Sequence, residues 1–133
     1  VTNEKKNLVV SFDQIKKNIL SKSFNVIDAR SLERFEGKVS EPRKGLRSGH
    51  IQNSFCLPFN QCINQKTGEF KNLEELRELF NQNENIEKRL DQVFTCGSGV
   101  TAAVLAYAYK MVNNDYIPKI YDGSWSEYGK YPA

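Results

Sequence analysis

The sequence predicts an α/β fold in which a mostly parallel sheet is flanked by helices on both faces. Short apolar segments typical of buried strands lie at 24–28, 54–59, 92–95 and 119–122, with a further short one at 8–10. They alternate with segments whose apolar residues recur at helical spacing. Because strands that alternate with helices form parallel sheets covered on both sides, this order predicts the fold class.

Two of the predicted helices begin at capping residues. Ser11 is followed three positions later by Gln14, and Asn72 by Glu75, which is the pattern of a capping box. The apolar residues that follow these caps are Phe12, Ile15, Ile19 and Leu20 in the first helix, and Leu73, Leu76, Leu79 and Phe80 in the second. Two more helices are predicted at 100–112 and 124–128.

A long surface loop is predicted between the first two strands of the sheet. Residues 37–53 are rich in glycine, proline and charged side chains, which disfavours a helix. Long ordered loops often carry functional residues, so this segment is a candidate part of a site.

Composition limits the classes of function. The chain has 133 residues, so residues 1–133 fit one compact domain. Its net charge of +3 comes from 19 basic and 16 acidic residues that are interspersed along the sequence. This balance favours small anions over nucleic acid as partners. The longest apolar stretch is too short to cross a bilayer and no apolar signal segment opens the chain, so no membrane association is expected.

The cysteine count indicates a reactive thiol. Cys56, Cys62 and Cys96 cannot all pair within one chain, and no C-x-x-C spacing suggests a zinc site. An intracellular, reducing compartment fits this usage best. Only Cys96 has neighbours that would activate a thiol, and Cys56 and Cys62 are interpreted as inert.

Cys96 lies between the third strand and the helix that follows it, where parallel sheets bind their ligands. Gly97 and Gly99 allow the backbone to curl, so the N–H groups of residues 97–101 can point at the sulfur. Together with the positive end of the next helix they would favour a thiolate. The alternative is a buried, unreactive cysteine whose glycine and serine neighbours only cap the helix.

Several segments resemble the rhodanese family of sulfurtransferases, and in particular its 3-mercaptopyruvate sulfurtransferase branch. They are CGSGVTA at Cys96 to Ala102, DARSLERFEG from Asp28, EPRKG from Glu41, GHI from Gly49 and DGSW from Asp122. They occur in the family's order and cover nearly the whole chain. The resemblance implies the rhodanese fold, a small parallel sheet flanked by helices.

The resemblance also implies roles for individual residues. Arg34 and Arg43 match two arginines that bind the carboxylate and carbonyl of mercaptopyruvate, and a guanidinium suits that task because it donates a forked pair of hydrogen bonds. Ser98 matches a serine that polarises the donor or handles a proton, although it could instead only cap the helix. The substrate loop is expected to comprise Gly97, Ser98, Gly99, Val100 and Thr101.

The implied reaction takes sulfur from 3-mercaptopyruvate, or from thiosulfate, onto Cys96 as a persulfide. A thiol acceptor such as thioredoxin, or cyanide, then removes the outer sulfur. No metal or organic cofactor is needed. Thiosulfate-specific members typically carry basic residues directly after the cysteine, whereas Gly97 and Ser98 are uncharged, which favours mercaptopyruvate.

Three other functions use residues of the kinds found in this sequence. A phosphatase loop of the Cys-x5-Arg type would need an arginine where this chain has Ala102. A cysteine protease would need His50, the only histidine, as a base, but its turn favours a structural role. A sulfur-carrier or regulatory module that keeps the fold without turning over a small donor stays the main alternative.

The resemblance covers only part of a usual family member. Mercaptopyruvate sulfurtransferases usually have two rhodanese-like domains, and this chain matches the second, catalytic one. An N-terminal rhodanese-like domain outside the chain is therefore a possible partner. A cytoplasmic or mitochondrial location is expected, because both compartments are reducing.

Overall fold

The computed structural model describes residues 9–82, 86, 90–97 and 101–130. Within them four strands form one sheet: β1 (Phe24–Asp28), β2 (Phe55–Cys56), β3 (Asp91–Thr95) and β4 (Lys119–Ile120). The helices are α1 (Phe12–Ser21), α2 (Leu32–Phe35), α3 (Leu73–Asn81), α4 (Ala102–Val112) and α5 (Ser124–Tyr128), and a 3-10 helix spans Phe59–Cys62.

The sheet is parallel, with the strand order β2-β1-β3-β4. Asp28 is in register with Cys56 on one side and with Thr95 on the other. Three strands therefore end at the same level, and the chain leaves all of them at one edge of the sheet. This edge is where the sequence predicts the site.

Two apolar clusters cover the two faces of the sheet. Ile27 and Phe94 belong to one cluster with residues of α3 and α4, whereas Val26 and Val93 belong to the other with residues of α1 and α5. Successive residues of a strand point to opposite faces, which explains why neighbours divide between the clusters. The predicted α/β fold with helices on both faces is confirmed.

Both predicted caps begin helices. At α1, Ser11 Oγ accepts from the Gln14 N–H at 3.2 Å and Gln14 Oε1 accepts from the Ser11 N–H at 2.8 Å, which forms a complete capping box. At α3, Asn72 Oδ1 accepts from the Glu75 N–H at 2.9 Å. These interactions satisfy amide groups that a helix end leaves without partners.

The predicted apolar faces of these helices were wrong at two positions. Leu20 and Leu73 are 90% and 43% exposed, because each lies at the end of its helix and to one side of the buried stripe. Asn18 is buried in α1 instead. Its amide donates to the Phe24 carbonyl at 2.8 Å and accepts from the Phe24 N–H at 3.0 Å, so α1 is joined to β1 by a polar contact.

The edge strands are shorter than predicted. Strand β2 has two residues because Pro58 cannot extend the ladder and the 3-10 helix begins after it. Strand β4 also has two residues, since the chain turns where the Ser124 N–H bonds to the Tyr121 carbonyl. The strand predicted at 8–10 is a single bridge between Val9 and Ile120 within the described residues.

Two helices also differ from prediction. Helix α2 was not predicted because one turn carries no periodic signal, but the Ser31 side chain caps it by accepting from the Arg34 N–H. Helix α4 begins at Ala102, while the predicted helix began at Val100. Residues 98–100, which include the predicted start of this helix, lie outside the described residues.

Candidate active site

Cys96 directly follows β3 at the carboxyl edge of the sheet and is 1% exposed. Its N–H donates to Ser124 Oγ at 3.2 Å, and its carbonyl accepts from the Trp125 N–H at 2.9 Å. The next carbonyl, that of Gly97, accepts from the Ser126 N–H at 2.9 Å. Three hydrogen bonds to α5 thus hold the backbone around the cysteine.

Ser124 places a fully buried hydroxyl beside the thiol. Its Oγ lies 4.0 Å from Cys96 Sγ, 3.1 Å from Thr95 Oγ1 and 2.9 Å from the carbonyl oxygen of Tyr121. Its φ is 52°, in the left-handed region that a serine rarely adopts. Such conformations persist only where the surrounding structure enforces them, and they concentrate at functional sites.

A buried arginine organises the edge of the sheet. Arg30 Nη2 donates to Asp28 Oδ2 and to the Gly49 carbonyl, both at 2.7 Å. Its Nη1 donates to Glu41 at 3.2 Å, and its guanidinium lies 4.7 Å from the centre of the Trp125 ring. Arg30 therefore joins the end of β1 to the predicted loop and to α5.

Glu41 is the residue that the sequence reading missed. Its side chain is 1% exposed and accepts from Arg34 Nη2 at 2.7 Å and from Arg30 Nη1 at 3.2 Å. The hydrogen bond to Glu41 raises the pKa of Arg34 above its ordinary value, and attraction to Asp28 and Cys96 adds to the effect against the opposing effect of burial. Glu41 is the first residue of the EPRKG motif, so its position beside Arg43 in that motif is the sequence signal that points to it.

Four of the candidate binding residues line one cavity of about 200 Å³. Arg34, Arg43, Gly97 and Thr101 are all among its lining residues, together with Glu41, Pro42 and Leu46. A Cβ on Gly97 would lie only 2.7 Å from Arg34 Nη2, so glycine at this position lets the guanidinium approach the cysteine loop. Their roles in substrate binding stay predictions.

Three residues of the predicted substrate loop after Cys96 are not described by the structure. Ser98, Gly99 and Val100 lie outside the described residues. The expected circle of N–H groups around the sulfur, and the role of Ser98, are therefore predictions still.

The other two cysteines have surroundings that disfavour ionisation. Cys62 is buried in the apolar core, and burial raises its pKa to about 11. Cys56 is half-buried with its Sγ 3.5 Å from the Arg30 carbonyl, and burial raises its pKa to about 12. Both are neutral thiols near pH 7, which supports their interpretation as inert.

His50 and Trp125 have structural contacts. The Nδ1–H of His50 donates to the Phe35 carbonyl at 2.7 Å, and its ring stacks on the Phe35 ring at 3.9 Å. The contacts support a structural role for His50. Trp125 is buried and its indole N–H donates to the Arg47 carbonyl at 2.8 Å, so it belongs to the core beneath the site.

The protein is thus an α/β protein with a parallel sheet and a buried cysteine at the end of one strand. That cysteine lies beside an arginine-lined cavity and is a candidate sulfur nucleophile. The model of the family described as "Rhodanese-like domain" matches residues 11–131. The chain therefore belongs to the rhodanese family.

Individual relatives point to one branch of that family. The chain is 42% identical over 126 residues to "Thiosulfate/3-mercaptopyruvate sulfurtransferase 1, mitochondrial" of Arabidopsis thaliana, covering 95% of this chain and 32% of the relative. It is 39% identical over 120 residues to "3-mercaptopyruvate sulfurtransferase" of Homo sapiens, covering 90% of this chain and 39% of the relative.

A solved structure is similar in fold. The crystal structure of SseA from Escherichia coli, described with the rhodanese fold and mechanism of 3-mercaptopyruvate sulfotransferases, matches with a TM-score of 0.72 and 32% identity. The match covers 91% of this chain and 43% of SseA. The chain thus spans less than half the length of these three proteins. Within the described residues, no helix is both long and apolar enough to cross a membrane.

Proposed function

We propose that this chain transfers sulfur from 3-mercaptopyruvate to a thiol acceptor through a persulfide on Cys96. The observation that carries the proposal is the position of Cys96 at the carboxyl edge of the sheet, next to the cavity lined by Arg34 and Arg43. The names of two relatives, which are 42% and 39% identical to this chain over the aligned residues, agree with it.

The donor is an anion that suits the cavity. Mercaptopyruvate carries a carboxylate beside a carbonyl, and two guanidinium groups can donate to both. Arg34 is held in place by Glu41, so it pays little conformational entropy on binding. Arg43 is exposed and also lines the cavity. Gly97 and Ser98 bring no charge to the loop, which favours mercaptopyruvate over the doubly charged thiosulfate.

The reaction conserves atoms and electrons. The Cys96 thiolate attacks the donor sulfur and forms an S–S bond while the C–S bond of the donor breaks. The electron pair of the C–S bond leaves as the enolate of pyruvate, which takes up the proton that the donor thiol releases. An acceptor thiolate then attacks the outer sulfur of the persulfide, forms a persulfide of its own and regenerates the Cys96 thiolate.

The Cys96 thiolate and the Cys96 persulfide are both anions, and their charge lies at the same side chain. One set of hydrogen-bond donors can therefore stabilise both. The Ser124 hydroxyl is one such donor, 4.0 Å from Cys96 Sγ. The N–H groups of residues 97–101 are the others in this proposal. Arg34 adds a positive charge nearby. Its electrostatic interaction with Cys96 contributes to the raised pKa of Arg34.

The acceptor, the location and the neighbouring domain are also part of the proposal. A protein thiol such as thioredoxin fits an acceptor role in a reducing compartment. The cytosol and the mitochondrion are both such compartments, and the name of the Arabidopsis relative specifies the mitochondrion for that protein. The length of the relatives supports a second rhodanese-like domain outside this chain, and residues 1–133 form one domain in this proposal.

Steady-state rates with mercaptopyruvate and with thiosulfate, each with dithiothreitol as acceptor, test this function. We expect release of pyruvate and sulfide with mercaptopyruvate, a lower kcat/KM with thiosulfate, and no turnover of either donor by Cys96→Ser. No turnover of either donor by the folded wild-type chain would contradict the proposal. Single-round transfer from a persulfide-bearing protein would then favour the sulfur-carrier function.

A further inference from the structure

Thr95 is a second buried hydroxyl at the site, one residue before the cysteine. It is the last residue of β3 and is 1% exposed. Its Oγ1 lies 3.1 Å from Ser124 Oγ. Threonine at this position therefore touches the serine that touches the thiol.

The contacts of Ser124 assign the direction of that hydrogen bond. A hydroxyl has one proton to donate and two lone pairs with which to accept. The Tyr121 carbonyl, 2.9 Å from Ser124 Oγ, can only accept, so it takes the Ser124 proton while Cys96 is a neutral thiol. Thr95 must then donate to Ser124 Oγ, as the Cys96 N–H also does at 3.2 Å.

Both lone pairs of Ser124 Oγ are thus occupied. The serine cannot accept a proton from the Cys96 S–H, and its one possible contact with the sulfur at 4.0 Å is as a donor. A hydrogen bond donated to the sulfur stabilises the thiolate and the persulfide anion, whereas one accepted from the S–H would stabilise the unreactive thiol. Donation into Ser124 also strengthens its own O–H as a donor, because linked hydrogen bonds polarise one another.

We infer that Thr95 is a positioning residue which, by donating to Ser124 Oγ, restricts the Ser124 hydroxyl to stabilising the anionic forms of Cys96. The inference rests on the proposed function only in taking Cys96 as the nucleophile, and it is independent of the donor. Thr95 makes no contact with substrate in this role. It acts through Ser124.

The test compares alkylation of Cys96 by iodoacetamide, a reagent that reacts with thiolates, as a function of pH in the absence of any sulfur donor. Mass spectrometry of the Cys96 peptide separates its alkylation from that of Cys56 and Cys62. Thr95→Val removes the hydroxyl and keeps the shape. It should raise the midpoint of the alkylation profile by about 0.5–1 pH unit, the effect of about one neutral hydrogen bond.

Three further variants separate this role from a structural one. Thr95→Ser keeps the hydroxyl and should restore the wild-type midpoint. Ser54→Ala, which removes a part-buried hydroxyl that donates to the Ile51 carbonyl, should leave the midpoint unchanged. In a Ser124→Ala background, Thr95→Val should cause no further change, because the hydroxyl through which Thr95 acts is gone.

The charges around the site are the same in all these variants. Among the described residues, those on the elements packed around the end of β3 include Asp28, Arg30, Arg34, Glu41, Arg43, Arg47 and Glu127. A shift in midpoint between variants therefore reports the hydroxyl groups alone.

The outcomes are distinguishable from those of the donor assay. An unchanged midpoint in folded Thr95→Val, or an equal shift in the Ser124→Ala background, overturns the inference even if wild-type sulfur transfer is normal. If Thr95→Val does not fold, Thr95→Ala takes its place in the same cycle. Failure of the wild type to turn over either donor overturns the proposed function and leaves the alkylation cycle to decide the role of Thr95.

Discussion

Cys62 and Cys96 are equally buried, at 0% and 1% exposure, and both touch the same apolar cluster. Their polar surroundings differ. Cys62 ends a 3-10 helix within the core, and burial raises its pKa to about 11 against a weaker opposing effect of the Lys71 charge. Cys96 lies at the edge of the sheet with the Ser124 hydroxyl beside its sulfur and the charge of Arg34 close enough to interact with it. Burial alone makes a cysteine unreactive, and a nucleophile needs a polar side as well.

The difference in surroundings between Cys62 and Cys96 should have its largest effect on which cysteine takes up sulfur. Incubation with mercaptopyruvate and no acceptor should add the mass of one sulfur atom to the wild-type protein and to Cys62→Ala, but not to Cys96→Ser. Intact-protein mass spectrometry measures the addition, and peptide mapping locates it. Sulfur found on Cys62 or Cys56 would show that the polar surroundings of Cys96 do not select the nucleophile.

The polar side of the site depends on Glu41, whose carboxylate joins two arginines. Glu41→Gln keeps the shape but removes the buried charge, so Arg34 and Arg30 lose a partner. We expect a loss of about 3 kcal/mol in the free energy of unfolding, near the low end for a broken buried ion pair because Arg30 retains Asp28.

Urea denaturation measures this loss, and Glu33→Gln is the matched control. Glu33 is an exposed residue of α2, the helix that carries Arg34. Its substitution should change the free energy of unfolding by less than about 0.5 kcal/mol. Equal losses for the two variants would mean that Glu41 does not hold the arginines in place.

The cavity arginines should matter for the donor rather than for the thiol. Arg34→Ala and Arg43→Ala should each lower kcat/KM for mercaptopyruvate, with a loss of transition-state stabilisation of about 1.5–3 kcal/mol. The loss should be smaller for thiosulfate, which has no carboxylate. Arg77→Ala, on the exposed side of α3, is the control and should have little effect. Losses of the same size with both donors would indicate a general attraction of anions instead of recognition of the carboxylate.

The smallest effect concerns pH and the core thiol. A cysteine has an ordinary pKa of 9.0, and Cys62 has one of about 11 in the folded state. Between these values the unfolded chain loses the Cys62 proton and the folded chain keeps it, so the free energy of unfolding falls as pH rises.

Cys62→Ala should therefore show a shallower decline in the free energy of unfolding between pH 9 and pH 11 than the wild type. Some decline remains, because burial also raises the pKa of Cys56 and Tyr116. Chemical denaturation at several pH values measures both slopes. Parallel curves for the two proteins would show that Cys62 ionises as readily in the core as in the unfolded chain.

Local sequence signals predicted the elements that depend on local chemistry. Strand β1 and both capping residues lie where the apolar runs and the capping pattern place them. The pattern was wrong at Leu20 and Leu73, since a helical period cannot tell which end residues the rest of the fold will cover. It also missed α2, because a single turn depends on its cap and on packing more than on periodicity.

The sequence by itself determined the fold class and the family, and it predicted Cys96 as the nucleophile among three cysteines, because the order of elements, the glycine positions and the motifs are read along the chain. Only the tertiary structure decided how distant segments combine at the site. It brought Glu41 of the loop against Arg34 and Arg30, and Ser124 of the last helix against Thr95 and Cys96. The physical reason is that hydrogen bonds and ion pairs between segments depend on distances across the sheet edge, which spacing along the chain does not encode.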